Sequence, residues 1–350
     1  MDDSPSVVVA WSGLPDYGAR LIAAAMRRMG TRFPVVGTRA RTPVVGIEET
    51  LGQSVDWVEE RASISWRDLH RSPPTLFFHT GWNVPVFNKL AREVRSTGGA
   101  VIVLVDNRWK RSIRQVVGSF WFRLVLSRRF GAVWVPGKSA ARFVRFLGVS
   151  EKDIFFGMYG ADREIFTPGD VSLSNRGNTM LFVGQFVERK GIPYLSEAFS
   201  KFRSENPDWR LICFGEGPCR GAIANVPGIE IRPFSPPAIL AAAYREARVF
   251  VLPSLEDHWG VVLHEAALSG CALIVSDRVG AAPDLVSRAN GVIVRAGSVD
   301  SLARGMRTVC EWNENQLGVA HRESLIRAQE FGPDVWGNVF AEIVARFTRT

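Results

Sequence analysis

The chain has 350 residues, 46% of them hydrophobic, with 11 Trp and 22 Phe; this suffices for two ordinary domains with real cores and excludes a disordered or fibrous protein. The formal net charge is +8, and the whole excess lies in residues 1–170, where 24 Lys/Arg face 16 Asp/Glu; such a half suits nucleic acid, an anionic membrane surface or an anionic substrate without choosing among them. No apolar run reaches the roughly 18 residues of a membrane-spanning helix, the MDDSPS start lacks the parts of a signal peptide, and Cys213, Cys219, Cys271 and Cys310 form no CxxC pair, so free thiols in a reducing cytosol are expected.

Val7–Ala10 reads as a first strand, followed by a turn bearing Gly13, Pro15 and Gly18 and a helix over Ala19–Met29; the turn is not GxGxxG, so a dinucleotide fingerprint is absent. Pro34–Gly37 and Pro43–Gly46 read as strands, Gln53–Asp68 is mixed, and Thr75–His79 is a strand ending in a His expected to be packed and hydrogen-bonded. Ala100–Val105 is a buried strand ending in Asp106-Asn107. Arg108–Arg129 then holds seven Lys/Arg and no acid, with Ile113, Val116, Val117, Phe120 and Leu124 on one helical face. An amphipathic basic helix of this kind lies on an anionic membrane or packs its apolar stripe into a core. The cluster Arg108, Lys110 and Arg111, just past the strand, suits an acceptor phosphate. After the strand Ala132–Val135, Gly137-Lys138-Ser139 fails the P-loop spacing, because Gly131 lies one residue too far upstream; Ser139 is expected to cap a helix over Ala140–Leu147.

The polar run Gly169–Asn178 reads as a linker. Beyond it, Met180–Val183, Arg210–Phe214, Ile229–Phe234 and Gly291–Val294 read as strands, Pro193–Phe202 and Pro333–Phe347 as helices. Val249–Ser276 is the most informative stretch: an apolar strand, the loop Pro253–Gly260, a helix over Val261–Leu268 stopped by Gly270, and a strand at Leu273–Val275. Trp259, Gly260, Val261 and Val262 offer backbone N–H groups at a helix start, which suits phosphate. Asp257 and Glu265, eight apart, are placed to accept sugar or ribose hydroxyls.

This stretch resembles the donor-site signature of the retaining nucleotide-sugar glycosyltransferases of GT-B fold, the large family 4 (group 1) set. Pro253-Ser254, Asp257, Trp259-Gly260, Glu265-Ala266, Gly270 and Ser276 fit the Pro-Ser and Glu-x7-Glu pattern, with Asp257 in register for the first Glu and Glu256 one residue early. Tyr159-Gly160-Ala161-Asp162 with Phe166 and Pro168 is similar to the family's exit from its first domain. The resemblance is dense over 154–295 and weak before residue 100.

The resemblance implies an α/β chain with two Rossmann-like domains facing each other across a cleft, over 1–168 and 169–332, and a C-terminal helix, 333–350, returning to the first. It also implies that Gly18 lies where the first loop approaches the donor phosphates, and that Lys190, with Arg189 compensating for Gln185 in place of the family's Arg, holds the diphosphate. Phe234 and its neighbours would meet the base, and His258, Trp259, Gly260, Val261 and Val262 the phosphates and sugar. The family's His at the strand end is replaced: either Asp106 supplies the polar contact or that role is unfilled. The expected activity is sugar transfer from a nucleotide diphosphate sugar to a hydroxyl acceptor, with retention, without a metal or other cofactor, in surface polysaccharide or glycolipid assembly. The expected place is cytoplasmic, with peripheral contact at the inner face of the plasma membrane. A degenerate partner subunit and a nucleotide-sugar epimerase are the alternatives; a nucleic-acid role lacks a readable module.

Overall fold

Parallel sheets covered on both faces need strands that are apolar throughout, and both halves of the chain supply them. The computed structural model describes residues 6–40, 44–107 and 130–348. The chain forms two units, Met1–Gly160 with Phe331–Thr350, and Ala161–Glu330.

The first unit runs β1 (Val7–Trp11), α1 (Asp16–Met29), β2 (Val35–Gly37), α2 (Ile47–Leu51), β3 (Asp56–Trp57), β4 (Leu76–Thr80), α3 (Pro85–Ser96), β5 (Ala100–Leu104), β6 (Ala132–Trp134), α4 (Lys138–Phe146) and β7 (Ile154–Phe155). Its described strands pair in parallel in the order β3-β2-β1-β4-β5-β6-β7. The second unit runs β8 (Thr179–Val183), α5 (Ile192–Arg203), β9 (Arg210–Phe214), β10 (Ile229–Arg232), α6 (Pro237–Glu246), β11 (Val249–Leu252), α7 (Val261–Leu268), β12 (Ala272–Ser276), α8 (Ala282–Leu285), β13 (Gly291–Val294), α9 (Val299–Cys310) and α10 (Glu314–Ala328). Its sheet is parallel in the order β10-β9-β8-β11-β12-β13. Each sheet thus steps one way from its first strand and then the other, the doubly wound order that opens a crevice beside that strand. The switch lies between β1 and β4 in one unit and between β8 and β11 in the other.

The last helix, α11 (Pro333–Thr348), belongs to the first unit. A Cβ on Gly337 would sit 3.1 Å from the Ala24 carbonyl of α1, so a small residue lets the two helices close together. Phe340 stacks on Phe33 at 4.9 Å and Phe78 at 4.5 Å, and Trp336 on Trp134 at 4.6 Å. Aromatic stacking over an apolar sheet face anchors the helix.

Two sequence expectations are corrected. Residues 44–46 are not a strand: Val45 is 90% exposed and Gly46, at φ 83°, instead starts α2. An isolated apolar pair with no strand beside it has no ladder to join. Ser139 does not cap its helix, which begins one residue earlier with Gly137 at the N-cap and no side-chain cap bond. The run 169–178 is packed rather than merely polar. Arg176 is 2% exposed, and its guanidinium donates to the carbonyls of Pro168, Tyr244, Ala247 and Ser269 at 2.8–3.2 Å. All four cysteines are free, and no helix among the described residues is long and apolar enough to cross a membrane.

Candidate active site

At the switch point of the second unit two loops leave neighbouring strands. The loop after β8 ends in a short turn, Glu188–Lys190, and Gly191, whose φ of 75° places Lys190 against the β11 loop. A Cβ on Gly191 would meet the Pro253 carbonyl at 2.3 Å, so only glycine permits this approach. The two loops are tied by backbone: Leu255 N–H donates to the Arg189 carbonyl at 2.8 Å. Lys190 Nζ then donates to Asp257 Oδ2 at 2.5 Å, with both residues only 9% exposed. A low-dielectric setting strengthens such a pair once its desolvation is offset.

The Asp257 loop is held from the β12 side. Asp257 N–H donates to the Arg278 carbonyl at 3.1 Å, Gly280 N–H to the Asp257 carbonyl at 3.0 Å, and Ala281 N–H to the Trp259 carbonyl at 2.9 Å. Gly260, buried at φ 92°, is the N-cap of α7. The first intrahelical bond is Leu263 N–H to the Gly260 carbonyl, 2.9 Å, so Val261 and Val262 stand at the helix start, where N–H groups precede any helical acceptor. The helix dipole adds partial positive charge there. Of the two neighbouring acids, Asp257 meets Lys190, while Glu256 lies 3.6 Å from His258 Nε2. His258 is exposed and Trp259 buried.

Glu265, about one turn into α7, accepts a hydrogen bond from the buried Tyr244 hydroxyl at 2.8 Å. Burial pushes its carboxyl up to about 7, against the lowering effect of that bond. Arg189 and Gln185 are exposed on the β8 loop; Arg189 reaches the Glu256 carbonyl at 3.5 Å. Phe234, beyond β10, is 74% exposed. The structure therefore gathers Lys190, Arg189, Asp257 and the start of α7 at one crevice of the second unit.

In the first unit, Asp106 follows β5 and accepts from Tyr159 Oη at 3.1 Å. Arg108, Lys110 and Arg111, and the stripe Ile113, Val116, Val117, Phe120 and Leu124, lie outside the described residues. Gly18 is not a left-handed turn residue. It sits inside α1, buried, and a Cβ there would press on Pro15 at 3.0 Å and Leu14 at 3.2 Å. The loop before it is already hydrogen-bonded: Ser12 N–H donates to Thr80 Oγ1 and Gly13 N–H to Thr38 Oγ1, both at 2.7 Å, and Leu14 N–H to the Thr38 carbonyl at 3.1 Å. His79 is packed among Phe77, Phe87 and Phe130, with Nδ1 3.2 Å from the Thr80 carbonyl, and burial lowers its pKa to about 4.

Sequence reasoning passed over His264. Its ring is fully buried in α7, accepts from the Ala161 N–H at Nδ1 (2.8 Å) and lies 2.8 Å from the Ala328 carbonyl at Nε2. Accepting at Nδ1 places the proton on Nε2. Both partners are backbone groups far away in sequence, so no spacing signal exists for them.

Residues 177–311 match the family model described as Glycosyl transferases group 1. Over this segment the chain is similar to the group 1 glycosyl transferases. It is 27% identical over 196 residues to the D-inositol 3-phosphate glycosyltransferase of Corynebacterium aurimucosum, covering 49% of this chain and 46% of that protein. It is 29% identical over 154 residues to the phosphatidyl-myo-inositol mannosyltransferase of Mycolicibacterium smegmatis, covering 42% and 40%. The chain thus spans less than half the length of these relatives. Among solved structures, a glycosyltransferase from Rickettsia africae superposes with a TM-score of 0.78 at 12% identity, over 99% of this chain and 100% of that one. Anabaena HepE, solved with UDP and glucose, gives 0.76 at 14% over 97% and 99%. The folds agree: both are built on Rossmann-like sheets of the GT-B class.

Proposed function

We propose that this protein is a retaining glycosyltransferase that takes a sugar from a nucleotide diphosphate sugar bound by the second unit and passes it to a hydroxyl acceptor. The observation that carries this reading is the meeting of Lys190 and Asp257 beside the start of α7, at the switch point of the sheet. Cleaving the anomeric C–O bond leaves a diphosphate with new negative charge. Lys190, Arg189 and the N–H groups of Val261 and Val262 stabilise that charge, and no metal or cofactor is proposed. Lys190 has three donor protons, so its bond to Asp257 leaves two for phosphate oxygens. Asp257, already oriented by that bond, positions the sugar hydroxyls; Glu265 takes the ribose, and Phe234 stacks on the base. Gln185, His258, Trp259 and Gly260 line the same donor site. Asp106 is the acceptor-side polar group, with Arg108, Lys110 and Arg111 holding an acceptor phosphate.

The family resemblance supports front-side displacement with retention, in which the leaving phosphate oxygen receives the acceptor's proton. It also supports a role in glycolipid or surface polysaccharide assembly at the cytoplasmic face of a membrane. HepE was solved with UDP-glucose, so uridine nucleotides head the donors to test. A thermal-shift screen of nucleotide diphosphate sugars tests the reading: binding to the native state raises the melting temperature by mass action. Lys190→Ala should lose more than about 2 kcal/mol of transition-state stabilisation. Near-normal turnover in that variant would remove the diphosphate assignment, and binding without turnover in the wild type would favour a partner subunit.

A further inference from the structure

We infer that Tyr159 is a positioning residue for Asp106, a phenol braced by the rings of Tyr17 and Trp11 that orients an acceptor-side carboxylate at the end of β5. The inference deepens the reading above and rests on it: Asp106 would accept a hydrogen bond from the hydroxyl of a sugar or polyol acceptor.

Three separate elements converge. Tyr17 comes from the first turn of α1, Asp106 from beyond β5, and Tyr159 from beyond β7. Tyr159 is 8% exposed, whereas Asp106 is half-buried, so the donor is sealed and the carboxylate reaches toward solvent. The Tyr159 hydroxyl donates to Asp106 Oδ2 at 3.1 Å. A phenol has one proton, and Tyr159 gives it to the carboxylate; Tyr17 acts on Tyr159 through its ring.

The rings cannot easily turn away. Tyr17 meets Tyr159 edge-on at 5.7 Å and 88°, and Trp11 backs both, at 6.4 Å from Tyr17 and 6.2 Å from Tyr159. Fixing Oδ2 fixes the plane of the carboxylate and so the direction of its other oxygen. Burial and the nearby Asp106 charge hold the Tyr159 phenol well above its ordinary pKa, so it stays a donor through the working pH range. Tyr159 is positioned by two aromatic neighbours and offers Asp106 a charge-assisted bond.

The test has one arm that needs no activity. The chain has four tyrosines, so tyrosinate absorbance can be followed in the full-length protein. Asp106→Asn removes the charge opposing Tyr159 ionisation, and one tyrosine should titrate at lower pH than in the wild type. Tyr159→Phe should delete one late-titrating tyrosine. The second arm is transfer from UDP-glucose to D-inositol 3-phosphate. Tyr159→Phe keeps the ring and should lower kcat about tenfold or more while leaving the UDP-glucose KM and the UDP-glucose thermal shift unchanged. Tyr17→Ala, which removes the bracing ring, should have a smaller effect in the same direction. Tyr159→Phe combined with Asp106→Asn should be no slower than Asp106→Asn alone, because the two act as one unit. An unchanged tyrosine titration in Asp106→Asn overturns the pairing of Tyr159 with Asp106; so do multiplicative losses in the double variant, or an unchanged kcat in Tyr159→Phe. A wild type that neither binds nor transfers any nucleotide sugar, with the titration shift intact, instead sinks the glycosyltransferase reading and the positioning role with it.

Discussion

Lys190→Met removes the cation of a pair whose side chains are 11% and 12% exposed, and leaves the Asp257 carboxylate surrounded by protein. The stem volume is nearly kept, so the change isolates charge. Breaking a buried pair from one side costs about 3–5 kcal/mol, because the remaining ion is no longer compensated. For a unit of this size, each kcal/mol corresponds to about 2–4 °C, so the transition of the second unit should fall by roughly 6–20 °C in scanning calorimetry at pH 7.5. A control bears on the cause. Lys190→Met combined with Asp257→Leu removes both charges and should recover most of the loss, since replacing both partners by apolar groups is often neutral. A melting temperature within about 2 °C of wild type for the single variant, or a double variant worse than the single, would refute the reasoning.

Glu265 has a folded pKa raised to about 7 from 4.5, so its contribution to stability is complete below about pH 4.5 and is lost as pH rises through 7; Glu265→Gln should flatten that stretch of the melting-temperature profile. His264 has its pKa lowered to about 4 from 6.5, so the stability of its neutral form is present above pH 6.5 and is lost as pH falls through 4. His264→Leu should remove this dependence and cost about 2–5 kcal/mol in urea unfolding, by leaving the Ala161 N–H and Ala328 carbonyl without their ring partner. Gly280→Ala would place a Cβ 1.7 Å from the His258 carbonyl oxygen; the Asp257 loop must shift, and the thermal response to UDP-glucose should be lost while circular dichroism is kept.

Most strands of both sheets were readable because burial on two faces writes them as unbroken apolar runs; the two-residue edge strands β3 and β7 are too short to leave that signal. Val249–Leu252 and the helix Val261–Leu268 have the bounds that pattern and the stop at Gly270 imply. The same signal misleads where an apolar pair finds no neighbouring strand, as at Val44 and Val45. It is also silent about α2, which opens at Gly46 rather than at a polar cap. The residues proposed for the donor side were named one by one from the motif, but the bond from Lys190 to Asp257 joins positions 67 apart and depends on a left-handed Gly191. His264 and Arg176 were hidden for a related reason. Each is satisfied by main-chain groups, which carry no residue identity, so only the folded chain reveals what they hold.

The clasp of Thr38 and Thr80 on the first loop separates two sheets of the same strand order. Ser12, Gly13 and Leu14 all direct their amides inward, and Pro15 has none to offer. An anion arriving at that end of β1 would meet hydroxyl-capped backbone and then the carboxylate of Asp16, whereas one arriving beyond β11 meets a glycine-opened helix mouth and a lysine. Sharing a winding order therefore does not make the halves interchangeable: in the first, two threonines already occupy the loop amides, while in the second the corresponding opening is a helix start.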